Sequence, residues 1–137
     1  MLDGLKRQAQ GLGISSQVVF EGAVSNMEEA YRSSSIYVMT SHFEGLPMVL
    51  LEAQASGLPI VSYACPSGPK DIVTDGVDGY LVPPYDHKAF QERLQTLMSN
   101  EDLRVQMGKA AVLASQRYDE TSIMERWVNL FTELSQG

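Results

Sequence analysis

Thiols are scarce in this sequence: Cys65 is the only cysteine among 137 residues. No intramolecular disulfide can form, and two histidines without a second thiol make a poor zinc set, so a reducing, cytoplasmic setting is the simpler reading. Long apolar runs are missing as well. Nothing approaches the ~20 residues that span a bilayer, and residues 1–10 lack the unbroken apolar core of a signal peptide. Basic residues are few, with 10 Lys and Arg against 17 Asp and Glu for a net charge of −7. That balance opposes a nucleic-acid partner, whose phosphates need cations to replace released counterions. Internal repeats and low-complexity linkers are absent too. What remains is 44% hydrophobic, which suits one domain over residues 1–137 that buries about two thirds of its unfolded surface.

Leu2, Leu5, Ala9 and Leu12 recur at helical spacing and stop at Gly13, so the chain is expected to open on an amphipathic helix. Short apolar, β-branched runs at residues 18–20, 36–39, 59–62 and 80–82, each bounded by Gly, Ser or Pro, read as four strands. Helix formers fill residues 27–33 and 48–56, and Gly57-Leu58-Pro59 closes the second of these. Runs so short, with little polar alternation, suit a parallel sheet covered on both faces and built by right-handed crossovers. After Pro83-Pro84 only helices are expected, over residues 88–99, 102–115 and 121–134. The division is therefore an α/β part over 1–84 and a helical tail over 85–137. An α/β sheet that begins on a helix reads as a domain whose first strands lie upstream. An open edge left that way would invite self-association. Parallel sheets bind ligands at the carboxyl ends of their strands, which directs attention to the loops after Phe20, Thr40, Ser62 and Val82.

The segment from Ser41 to Ala53, reading S-H-F-E-G-L-P-M-V-L-L-E-A, carries the most chemical information. Pro47 is at home in a first helical turn, so a helix should begin at Leu46 or Pro47. The free N–H groups of Met48 and Val49, with Leu50 as a third candidate and the helix dipole behind them, would then form a phosphate or pyrophosphate site. Gly45 lets ligand and backbone approach closely. Glu52 sits among Leu50, Leu51, Ala53 and Ala55. It is expected to be buried and in need of donors, roughly 7 Å along the axis from Pro47, where a ribose diol would suit it. Glu44 precedes the helix, on the far side of the phosphate.

Glu44, seven intervening residues and Glu52 resemble the E-x7-E pattern of retaining glycosyltransferases with the two-domain GT-B fold. Further stretches fall in the order seen in the large family numbered four: Val19-Phe20-Glu21-Gly22, Ala30-Tyr31, Glu44-Gly45-Leu46-Pro47, Leu51-Glu52-Ala53, Gly57-Leu58-Pro59-Ile60-Val61, and Asp75-Gly76 to Gly79-Tyr80-Leu81-Val82. The resemblance covers nearly the whole chain and implies a Rossmann-like parallel sheet with flanking helices, the C-terminal half of that fold. It implies that Glu52 binds the nucleotide ribose, that Glu44 contacts the donor sugar, and that amides of Leu46, Met48 and Val49 hold the diphosphate. Backbone near Val24 would face the base. No metal or cofactor is implied; the donor is a nucleotide diphosphate sugar, UDP by default. The sugar would be a hexose or N-acetylhexosamine. The acceptor, a saccharide or lipid-linked saccharide of polysaccharide biosynthesis, would bind a separate N-terminal domain at the inner membrane face.

Ala64-Cys65-Pro66-Ser67-Gly68-Pro69-Lys70-Asp71 resembles the C-P-x-G-P-x-E loop of members that build bacterial surface polysaccharides, with Asp71 where Glu is usual. Gly68 and Asp71 are thus further candidates, against the plainer reading of a turn before a short helix. His42 has two readings, a structural ring or a sugar contact, and general base is the weaker idea. Cys65 reads as a small inert hydrophobe. Ile123, Trp127, Leu130, Phe131 and Leu134 form a helical stripe for core or interdomain packing. Rival functions are a GT-B nucleotide-sugar epimerase, a non-catalytic nucleotide-sugar-binding subunit, and a glycosidase using the two glutamates. The last suits an anion-binding helix end poorly.

Overall fold

A computed structural model describes residues 2–136. Three strands, β1 (Tyr37–Met39), β2 (Ile60–Tyr63) and β3 (Gly79–Val82), form one parallel sheet in the order β1-β2-β3. Tyr37 pairs with Ile60 and Ile60 with Gly79, which sets the register. The helices are α1 (Leu2–Gly11), α2 (Met27–Arg32), α3 (Met48–Ala55), α4 (Pro69–Ile72), α5 (His87–Met98), α6 (Glu101–Ser115) and α7 (Glu120–Ser135). Short 3-10 turns occupy Ser15–Gln17 and Gln116–Tyr118. Helix α3 crosses from β1 to β2 and α4 from β2 to β3, the alternation expected of a parallel sheet.

All four residues of β2 are buried, because side chains of the central strand enter a core on either face. Ile60 joins Tyr31, Met39, Leu50, Ala53, Leu58, Ile72 and Val73 on one side. Val61 and Tyr63 join Cys65, Val82, Phe90, Leu97 and Met107 on the other. Helix α3 stops in a Schellman turn: Gly57 takes φ 76°, its N–H donates to Gln54 O, and Leu58 N–H donates to Ala53 O. Gly108 of α6 packs so tightly against this turn that a Cβ there would overlap Gly57 O.

Residues 18–20, expected as a strand, form none. A strand is stable only when a neighbour accepts and donates along its ladder, and here Val19 stands 76% exposed. The sheet therefore has three strands rather than four. The stripe on α7 is likewise not core: α7 buries no residue, and Trp127 and Phe131 stack on each other at 5.6 Å while half or more exposed. Ile123 at the start of the stripe is partly buried, and Leu130 and Leu134 are exposed. No helix among the described residues is long and apolar enough to cross a membrane.

Gln54 and Asp78 are buried polar residues that pair with each other, and Ser62 is buried as well. Gln54 Nε2 donates to Ile72 O and to Asp78 Oδ2, Thr74 N–H donates to Asp78 Oδ1, and Gln54 Oε1 has no partner among the described residues. Burial raises the Asp78 carboxyl above its usual range, opposed by the Thr74 N–H and by Arg117. A carboxyl raised on folding stabilises fully below its unfolded value, and that contribution is lost as pH rises through the folded value. The wild type should thus lose stability relative to Asp78→Asn as pH rises from ~3 to ~7. Paired denaturation curves check this, and a constant difference would contradict it.

Candidate functional site

The carboxyl ends of β1, β2 and β3 release three loops to one side of the sheet, and two of them lock together. Residues 41–47 follow β1 and residues 64–68 follow β2. Cys65 Sγ donates to Ser41 O at 2.9 Å and Ser67 Oγ donates to Glu44 O at 2.7 Å. Cys65 is buried in the core, as suits a small hydrophobe, and its thiol ties the two loops together. Gly68, at φ 85° and ψ −79°, lies where a Cβ would overlap Gly45 O and sit 2.6 Å from Pro47 Cδ. Its N–H donates to Asp71 Oδ2 at 3.0 Å, which fixes the first turn of α4. Gly68 and Asp71 accordingly shape the Glu44 loop from behind, a role the turn reading alone would miss. Ser67→Ala should cost about 1 kcal/mol, the usual net worth of such a bond, which urea denaturation can measure.

Helix α3 begins differently from its neighbours. Asn26, Asp86, Asn100 and Asp119 each accept an N–H of the first turn of α2, α5, α6 and α7. At α3 the cap position is Pro47, one residue before the helix, and it has no side-chain acceptor. The first bond closing onto the helix is Leu50 N–H to Pro47 O at 3.0 Å; no described group accepts from Met48 or Val49 N–H. The third candidate, Leu50 N–H, is therefore satisfied, while Met48 and Val49 remain free beside the exposed side chains of Leu46, Met48 and Val49. Two outward amides at the positive end of a helix suit an anion.

Glu44 is half-buried on the loop before this helix end. Glu52 is exposed, not buried. Leu50, Ala53 and Gln54 make the inward face of α3, and Glu52, two residues from Leu50, is rotated away from it. Tyr31 of α2 donates its O–H to Glu52 Oε2 at 2.8 Å. Burial first, then the bond to Glu52, holds the Tyr31 phenol well above its usual range. Tyr37 is raised by burial and then by the charges of Glu52 and Glu44. Both carboxylates thus raise the same phenol. Sequence reasoning missed Tyr31 as the donor to Glu52; the Ala30-Tyr31 stretch of the family resemblance was the available signal.

His42 lies between two tyrosine rings, 4.3 Å from Tyr85 and 5.5 Å from Tyr63 by ring centroids. His42 itself remains exposed. Val24 sits on coil before α2, exposed, and no hydrogen bond among the described residues ties its side chain to the other candidates. Among the described residues no group of three or more His, Cys, Asp or Glu is placed to hold a metal.

Comparison with known proteins gives the family of the chain. The model of the family described as "Glycosyl transferases group 1" matches residues 1–113. The amylovoran biosynthesis glycosyltransferase AmsD of Erwinia amylovora is 40% identical over 101 residues, 74% of this chain and 28% of that protein. An exopolysaccharide phosphotransferase of Streptomyces coelicolor is 38% identical over 131 residues, 95% of this chain and 14% of that protein. A crystal structure of a variant of Staphylococcus aureus TarM, in complex with fondaparinux, alpha-GlcNAc-glycerol and UDP, superposes with a TM-score of 0.86 at 25% identity, over 94% of this chain and 26% of that one. The chain therefore spans well under a third of each of these proteins. With an α/β parallel sheet, a matching family model over most of its length and relatives of this identity, the chain belongs to the group 1 glycosyltransferases.

Proposed function

We propose that this chain is the donor-binding part of a retaining family 4 glycosyltransferase that moves a hexose or N-acetylhexosamine from a nucleotide diphosphate sugar, UDP by preference. The acceptor is a saccharide or lipid-linked saccharide of polysaccharide biosynthesis. The observation that carries the reading is the start of α3: its amides are free where four other helices are capped, and carboxylates flank it on either side. The diphosphate sits on Met48 and Val49 N–H, with Leu46 and Gly45 lining the approach. Glu52, held by Tyr31, accepts from the ribose diol, and Glu44 meets hydroxyls of the sugar. Bond cleavage at the anomeric carbon leaves negative charge on the diphosphate, and the helix end is already oriented toward it, which is worth several kcal/mol in comparable sites. No metal is required in this reading. The acceptor enters from a second domain on the same face of the sugar, at the inner surface of the membrane, and this chain alone does not turn over.

The UDP bound in the TarM variant supports the choice of nucleotide. Calorimetry of the chain against UDP tests it. Glu52→Ala should weaken UDP binding about five- to hundredfold, the equivalent of ~1–3 kcal/mol for a lost acceptor at a bound diol. Glu44→Gln should leave UDP affinity intact and weaken UDP-N-acetylglucosamine. Unchanged UDP affinity in Glu52→Ala would sink the ribose assignment, and equal loss of UDP affinity in both variants would contradict the division of roles.

A further inference from the structure

Tyr85 is the one described non-glycine residue at positive φ, at 67°. A Cβ disfavours that conformation, and glycine would adopt it freely. The turn that imposes it is fixed at both ends: Asp86 N–H donates to Pro83 O at 3.1 Å, and Asp86 Oδ1 accepts from Ala89 N–H to start α5. The Tyr85 ring, 68% exposed, gains nothing from burial in the core. What it does contact is the outer face of His42, nearly parallel at 19°. The inner face of His42 lies on Tyr63, which is itself held by its O–H paired with His87 Nδ1 at 2.8 Å and by Phe90 at 4.8 Å between centroids. A stack thus runs from the core outward through Phe90, Tyr63, His42 and Tyr85, across the ends of all three strands. His42 stands two residues before Glu44.

We propose that Tyr85 is a positioning residue for the sugar end of the site: its ring clamps His42 against Tyr63 and so fixes the loop that presents Glu44. Strained backbone persists where the surroundings over-determine it, often beside a functional site. The inference rests on the proposed role of Glu44 toward the donor sugar and deepens it. The diphosphate end is governed separately by α3 and Gly68, so the effect of Tyr85 falls on the sugar.

Three variants separate this from a structural role. Tyr85→Gly removes both the strain and the ring, so thermal stability holds or rises while the clamp is lost. Tyr85→Phe keeps the ring and restores wild-type behaviour. Tyr85→Ala loses the ring and keeps the strain. Binding of UDP and of UDP-N-acetylglucosamine is measured by calorimetry, with amide exchange of residues 42–46 followed by NMR. Tyr85→Gly and Tyr85→Ala should weaken UDP-N-acetylglucosamine about fivefold, in line with one lost aromatic stack, leave UDP within twofold, and speed exchange at residues 42–44, with residues 45 and 46 held by Gly68. Unaltered exchange in Tyr85→Gly, or equal loss of both ligands, would overturn the proposal. If the wild type bound neither ligand, the donor-site reading would fall. The clamp would then be judged on exchange alone, with acceleration supporting it and no change refuting it.

Discussion

Gly68→Ala should remove most UDP binding and lower the melting temperature by on the order of 5–10 °C, from about 2–4 kcal/mol of combined strain and overlap. Two costs coincide at this residue. Its φ of 85° with ψ of −79° is a conformation an L side chain rarely adopts, and the added methyl would meet Gly45 O and Pro47 Cδ. Neither contact can be relieved by a rotamer, because one atom is backbone and the other belongs to a ring. Relief requires the loops after β1 and β2 to separate, which breaks the Ser67–Glu44 bond and moves both Glu44 and the start of α3. Gly76→Ala is the control, since Gly76 has φ 76° but open space where its Cβ would lie. It should lose only the strain, about 1 kcal/mol, and keep UDP binding. If Gly68→Ala binds UDP as well as Gly76→Ala does, the packing of the two loops is not what forms the site.

Gly79→Ala should destabilise the fold itself, by about 2–3 kcal/mol. At the start of β3 a Cβ would overlap Ile60 O and lie 3.0 Å from Ile60 N and 3.1 Å from Ile60 C, all backbone atoms of the central strand. The first pairing of β2 with β3 must then open. The loss should appear as a shift of the urea midpoint with little change in slope, since the surface exposed on unfolding is the same. A midpoint shift below that of Gly76→Ala would mean that this close strand approach relaxes at little cost.

The helix and loop around Glu44 were legible because punctuation residues have local meaning. Gly57 and Pro47 bound α3 within one residue of the positions they imply, and β2 and β3 follow from β-branched runs set off by Gly and Pro. Glu52 shows where such reading fails: its apolar neighbours in sequence suggest burial, yet Leu50, Ala53 and Gln54 are the buried residues of α3 and Glu52 is exposed. Sequence adjacency is not facial adjacency in a helix. Residues 18–20 have the composition of a strand without a partner to pair with, and α7 has an apolar stripe that stays mostly exposed. Periodicity reports what a segment could bury, not what it meets. Tyr85 is harder still, because its φ is set by the two ends of a turn, and tyrosine is not a residue that signals positive φ.

The central claim is that the uncapped start of α3 receives a nucleoside diphosphate. A UDP titration of the isotopically labelled chain, read as amide chemical-shift changes, tests it most directly. The account predicts that the largest changes fall on Gly45, Leu46, Met48 and Val49, with smaller ones at Tyr31 and Glu52, and that Glu52→Ala raises the concentration needed for saturation. Changes confined to α6 and α7, or a spectrum that UDP leaves untouched at residues 44–49, would contradict it.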